Sequence, residues 1–97
     1  MFITVDLFTP NNKIDMASGG IIRGTATIEG QPNPARIIIF RRFDYQLIAH
    51  QKTDNDGTYF FNGIPRGIEY TVLGLDLNKQ NNAVVADRIT PVDVGDL

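Results

Sequence analysis

The sequence predicts an all-β domain, a seven-stranded antiparallel β-sandwich. Apolar and polar residues alternate in short runs, the two-residue period of a strand with one buried face. Glycine, proline and asparagine separate these runs, and no stretch carries convincing helical spacing. A single sheet of such strands would leave its apolar side in water, so two sheets closing over one core are expected.

Residues 2–8 open the chain with Ile3, Val5 and Leu7 on one face and Thr4 and Asp6 on the other. Phe2 and Phe8 fall on the second face, so this strand is apolar on both sides. One side can meet the domain's own core, and the other needs a cover. An edge strand with free amides and carbonyls is a template for a partner's strand. Phe2, Ile3, Val5, Leu7 and Phe8 are therefore the candidate docking edge, expected to serve self-association or attachment to a larger assembly.

Residues 9–20, TPNNKIDMASGG, have the composition of a surface connection and form the longest expected loop, with Gly19 and Gly20 turning into the next strand. Residues 21–29 alternate again, Ile22, Ala26 and Ile28 against Arg23, Thr25, Thr27 and Glu29. GQPNP breaks the chain before a strand over 35–40, with Ala35, Ile37 and Ile39 inward. Residues 47–53 and 58–61 read as the two arms of a hairpin. GIPRG at 63–67 is a corner, and residues 68–76 alternate weakly with a break at Gly74. The polar turn LNKQNN leads into a last strand over 83–90, before Pro91.

At 97 residues, of which 42% are hydrophobic and 21% charged, the chain has room for one core and reads as one domain over 1–97. A formal charge of −2 gives no attraction to a polyanion, so nucleic acid is not an expected partner. The absence of cysteine removes disulfides, zinc–thiolate sites and thiol nucleophiles. The longest apolar run, Ile37-Ile38-Ile39-Phe40, falls far short of the ~20 residues of a membrane span, and no membrane association is expected. MFITVDLF lacks the basic and apolar regions of a secretion signal; if Met1 is the natural start, the chain is expected to stay in the cytosol.

The stretch KTDNDGTYFF, 52–61, invites a metal reading and fails it. Placing Asp54, Asp56 and Gly57 at positions 3, 5 and 6 of a calcium loop puts Lys52 and Gly63 where oxygen ligands are required. A turn accounts for the same residues, with the acids bonding nearby amides and Gly57 supplying a positive φ. No metal or other cofactor is expected.

From this turn onward the chain resembles the carboxypeptidase regulatory-like domain. The likeness is carried by residues 53–61 (TDNDGTYFF), Gly63-Ile64-Pro65-Arg66-Gly67 and Tyr70-Thr71-Val72, preceded by Ile22-Arg23-Gly24-Thr25 and Ala35-Arg36-Ile37-Ile38-Ile39. It covers about residues 21–75, flanked by the N-terminal strand and loop (1–20) and the last strand (83–92). The resemblance implies a prealbumin-like, immunoglobulin-like Greek key and a binding or structural module rather than an enzyme. NAVVADRITPV, 82–92, is similar to an ending found in small proteins of tailed bacteriophages and prophages. That likeness implies a structural protein of the particle's tail, neck or capsid surface. It would be made in the host cytoplasm, would reside in the virion, and would dock on other virion proteins or on copies of itself.

An envelope module is the alternative, recognising host-surface carbohydrate or protein through exposed aromatic side chains. Arg41, Arg42, Phe43, Tyr45 and Phe60 are the candidate ligand or partner contacts. For Arg41 and Arg42 the plain expectation is pairing with acids at a strand end, with Phe43 and Tyr45 covering the sandwich edge. His50 is the only histidine and is expected to face solvent. No nucleophile and base can be assembled around it, so no catalytic residues are expected. The same fold hosts a hydrolase of the urate pathway, but that enzyme needs several histidines and a different ending.

Overall fold

The computed structural model describes residues 1–5 and 19–92; Leu7 and Phe8 of the expected docking edge lie outside them. The described residues form eight strands and no helix: β1 (Phe2–Val5), β2 (Gly20–Ile28), β3 (Gln31–Pro32), β4 (Ala35–Arg41), β5 (Leu47–Lys52), β6 (Thr58–Ile64), β7 (Tyr70–Asp76) and β8 (Val84–Ile89). All pairings are antiparallel. The first sheet is built on β2, which takes β1 along one side and β6 and β3 along the other. The second sheet has the order β5-β4-β7-β8.

One core lies between the sheets. Ile22, Ala26, Tyr59, Phe61 and Ile64 come from the first, and Ala35, Ile37, Ile39, Tyr70, Val72 and Ile89 from the second. The inward set expected for β4 is thus the one observed, and on β2 Ile22 and Ala26 face the core as expected whereas Ile28, at the strand's end beside the turn into β3, is only half-buried and lies outside it. Tyr70 is fully buried, and its hydroxyl donates to the Pro65 carbonyl at 2.6 Å, tying the 63–67 corner to the core.

Three expectations are corrected. The described residues form eight strands rather than seven, because Glu29 and Gly30 both adopt positive φ and fold Gln31 and Pro32 back onto Thr27 and Ile28. Proline is tolerated there because so short a segment needs few ladder bonds. Second, β5 and β6 are not a hairpin: β5 pairs with β4, and β6 pairs with β2. The turn between them crosses from one sheet to the other. Its start is held by the Thr53 amide on the Ala35 carbonyl, and its end by the Ala26 amide on the Gly57 carbonyl, both at 2.8 Å. Third, Gly74 does not break β7. A Cβ there would lie 2.7 Å from Ile3 Cγ2 and 3.3 Å from Val84 Cγ2, so the glycine makes room for a side chain from the opposite sheet.

Three register shifts among the described strands adjust which residues face inward. Between Gly20↔Ile64 and Ile22↔Phe61, β6 carries an extra residue, so Phe61 and Ile64, three apart, both reach the core. Between Ile39↔Ala49 and Phe40↔Leu47, β5 carries an extra residue, and both Ile48 and Ala49 pack against the core. In β8, Arg88 takes a φ of 57°, which lets Asp87 point outward and still brings Ile89 to the core.

Candidate docking surfaces

The outer faces of the two sheets differ in kind. On the first sheet the outward positions of β2 are Arg23, Thr25 and Thr27, with Thr58 beside them on β6, as for a face in contact with water. On the second sheet, outward Ile38 of β4 stands opposite Leu73 of β7, with Phe40 next along β4 opposite Thr71 and Leu75 next along β7 opposite Arg36. Leu47, 52% exposed, extends this surface on β5 beside Phe40, and Val85, 61% exposed, extends it on β8 beside Leu73. Six apolar side chains therefore cross all four strands on the side away from the core.

One flank of this face is cationic. Arg36 and Lys52 lie directly opposite each other on β4 and β5, and neither forms an ion pair among the described residues. His50 is exposed, as expected, and its Nδ1 lies 3.1 Å from Arg36 Nη1. Arg36, Ile38, Phe40, Leu47 and His50 line a groove of about 440 Å³. At the diagonally opposite corner stands Asp87, whose Oδ1 accepts from Thr71 Oγ1 at 2.9 Å and from Arg42 Nε at 3.0 Å. These bonds, the Thr71 hydroxyl first, hold its carboxyl below the usual carboxylate range.

The Arg41 and Arg42 guanidiniums are engaged by acids of this chain. Arg41 makes a two-point contact with Asp44 (3.0 and 2.7 Å), reaches Gln46, and lies 4.8 Å from the centre of the Phe43 ring. Arg42 pairs with Asp87. The arginines therefore sit outward and paired, as expected, whereas Phe43 and Tyr45 do not cover the sandwich edge. They are 74% and 72% exposed, because the turn over residues 42–46 projects them beyond the end of β4 and Tyr45 takes a φ of 56°.

Phe60 stands apart from these rings on the first sheet. With Arg23, Gly24, Thr25, Gln51, Asp54, Thr58 and Tyr59 it lines a groove of about 560 Å³. Gln51 of β5 spans the gap between the sheets there: its Oε1 accepts from the Phe60 amide at 3.1 Å, and its Nε2 donates to the Phe60 carbonyl at 2.9 Å. One side-chain amide thus occupies both main-chain groups that Phe60 would offer to a further strand beside β6.

Among the described residues β1 pairs only with β2, which puts it at an edge of that sheet. Phe2 is 69% exposed, while Met1, Ile3 and Val5 pack against the core. The Thr4 carbonyl sits above Gly24 and accepts from the Tyr59 hydroxyl, so β1 is also held from within the domain.

Two acid-rich turns hold the chain. Asp54 and Asp56 accept from the Thr58 hydroxyl (3.3 and 2.8 Å), Asp56 also takes the Thr58 amide at 3.2 Å, and Gly57 has the expected positive φ of 80°. The buried Asp76 accepts from five N–H groups. Asn33 Nδ2 and the Asn78 amide reach Oδ1; the Gln80 and Asn81 amides and Asn81 Nδ2 reach Oδ2. A carboxylate so surrounded by donors repels a proton rather than inviting a cation, and its pKa falls far below the usual range, the Asn81 side chain contributing most. No group of three His, Cys, Asp or Glu among the described residues is placed to hold a metal, and these residues contain no helix long and apolar enough to cross a membrane.

Comparison with family models, with characterised proteins and with solved structures finds no match to this chain.

The apolar outer face was not among the sequence-derived candidates, although its signal is present. Ile37-Ile38-Ile39-Phe40 and Val72-Leu73-Gly74-Leu75 are apolar on both sides of the pleat, a pattern of strands covered on both faces.

Proposed function

We propose that this protein is a non-enzymatic docking module, a structural component of a bacteriophage or prophage particle in its tail, neck or capsid surface. The observation that carries the docking reading is the outer face of the β5-β4-β7-β8 sheet, where Ile38, Phe40, Leu47, Leu73, Leu75 and Val85 meet solvent together. An apolar surface running across a whole sheet marks an interaction site more often than a solvated one. The particle assignment rests on the resemblance of residues 82–92 to an ending found in small phage and prophage proteins, following a stretch, 21–75, that resembles the carboxypeptidase regulatory-like domain. A prealbumin-like Greek key fits the strand order: β4 and β5 pair, β6 crosses to the other sheet, and β7 returns to the far side of β4.

The test is incorporation. Particles purified from the source culture are expected to contain the protein in fixed stoichiometry by quantitative mass spectrometry. Its absence from every particle fraction overturns the virion assignment.

The envelope alternative places a carbohydrate on Tyr45 and Phe60. These rings do not meet: Phe60 lines the groove on the first sheet and Tyr45 stands in the turn after β4. Two separated aromatic side chains make a poor sugar platform, so the geometry favours protein docking.

A further inference from the structure

We propose that the partner covering the outer face of the β5-β4-β7-β8 sheet is a second copy of this chain, packed face to face about a two-fold axis. The inference rests on the docking reading and adds the identity of the occupant. Its first support is shape. The apolar residues lie along the middle strands β4 and β7 as well as at the edges, so a partner must lie across the sheet rather than hook one side. A twisted sheet is complementary to another sheet stacked about 10 Å away.

Charge supplies the second support. Lys52 and Arg36 occupy one corner without an acid among the described residues. Asp87, half-exposed and bonded through Oδ1 to Arg42 and Thr71, occupies the corner diagonally across and is the acid the partner's cations would share with Arg42. A two-fold axis in the interface, perpendicular to that diagonal, sets Lys52 and Arg36 of each copy over Asp87 of the other. Both ionic contacts form at once, as an isologous interface requires. The strands of the two sheets then cross near a right angle, one of the two arrangements in which sheets stack.

Size is the third. Four strands spaced ~4.8 Å apart and about seven residues long present a face of roughly 19 by 23 Å. Side-chain relief raises its accessible area to on the order of 700 Å² per copy, close to the ~800 Å² per partner of a standard stable interface.

The test is sedimentation equilibrium of the full chain between about 5 and 200 µM, together with zero-length carbodiimide cross-linking. A species of twice the 10.8 kDa chain mass is expected, with a Lys52–Asp87 cross-link between copies. Ile38→Glu combined with Phe40→Glu should lower the dimerisation constant at least a hundredfold with an unchanged far-ultraviolet spectrum. Lys52→Glu, which cannot harm the core from its exposed position, should weaken dimerisation about tenfold, and adding Asp87→Lys should restore it. A wild-type protein that stays monomeric at 200 µM, or a dimer indifferent to these changes, overturns the proposal. Particle incorporation separates this failure from that of the broader reading. Loss of incorporation by Ile38→Glu/Phe40→Glu in a monomeric protein means the face docks a different particle protein, whereas undiminished incorporation means that it docks nothing there.

Discussion

Gly24 shows how much one missing side chain can matter. It lies in β2 with the Tyr59 side chain passing over it to the Thr4 carbonyl, so a Cβ would meet both the hydroxyl and the carbonyl oxygen. Gly24→Ala must displace main chain of β1 or expel a buried tyrosine, at a cost of about 2–3 kcal/mol. A fall in melting temperature of roughly 10–20 °C is expected, read by circular dichroism. Gly30→Ala is the control: nothing lies within 4 Å of its Cβ, and only its φ of 80° opposes the change. The turn carboxylates make a second residue-scale prediction. Asp54 and Asp56 are occupied by Thr58, so calcium or a chelator should leave the melting temperature within about 1 °C of its value in buffer alone. A calcium-dependent rise of several degrees would refute the turn reading.

At the scale of elements, the edges are treated unequally. Gln51 closes β6 by bonding both main-chain groups of Phe60, and β1 is anchored by Met1, Ile3 and Val5 beneath an outward Phe2. Gln51→Ala should therefore accelerate hydrogen exchange of the Phe60 amide by about tenfold or more, while amides of β4 and β7 keep their protection. Phe2→Lys should leave stability within about 0.5 kcal/mol, because the ring is exposed. Ile3→Asp should unfold β1, since Ile3 fills the space that Gly74 leaves in the opposite sheet. Removing the whole first strand would consequently test the core and the edge together, and only the point changes separate them.

For the molecule as a whole, acid is the informative variable. Asp76, Asp87, Asp44 and Asp56 all have carboxyls held below the usual range, by the Asn81 side chain, the Thr71 hydroxyl, the Arg41 guanidinium and the Thr58 hydroxyl respectively as the leading causes. A lowered folded-state pKa means that the unfolded chain binds protons first as pH falls. The stabilisation is therefore complete above the unfolded carboxylate value of ~3.9 and is lost progressively below it. The melting temperature should be flat from pH 7 to about 5 and fall steeply below pH 4. Asp76→Asn should lower it at pH 7, by roughly 5–10 °C, because an amide offers one acceptor where two met five donors. It should also flatten the acid limb.

Alternation in the sequence determined seven of the strands and the inward residues of their regular stretches, because period two is a property of each strand alone. Ile22 and Ala26, or Ala35, Ile37 and Ile39, face the core whatever lies beside them, whereas Ile28, β3 and the residues at the bulges did not follow from it. The glycine at 57 was equally legible, since positive φ is a local demand of the turn. Pairing was not. Whether β6 joins β5 or β2 depends on contacts between residues far apart in the chain, and the turn over 53–57 gives one end to each sheet. The roles of Gly24 and Gly74 likewise exist only once another strand's side chain needs the space. The docking face lay between these cases: Ile38 and Phe40 were visible as an apolar run, but only the tertiary structure put Leu47, Leu73, Leu75 and Val85 beside them. A surface that spans four strands is created by their order in the sheet, and no single strand records it.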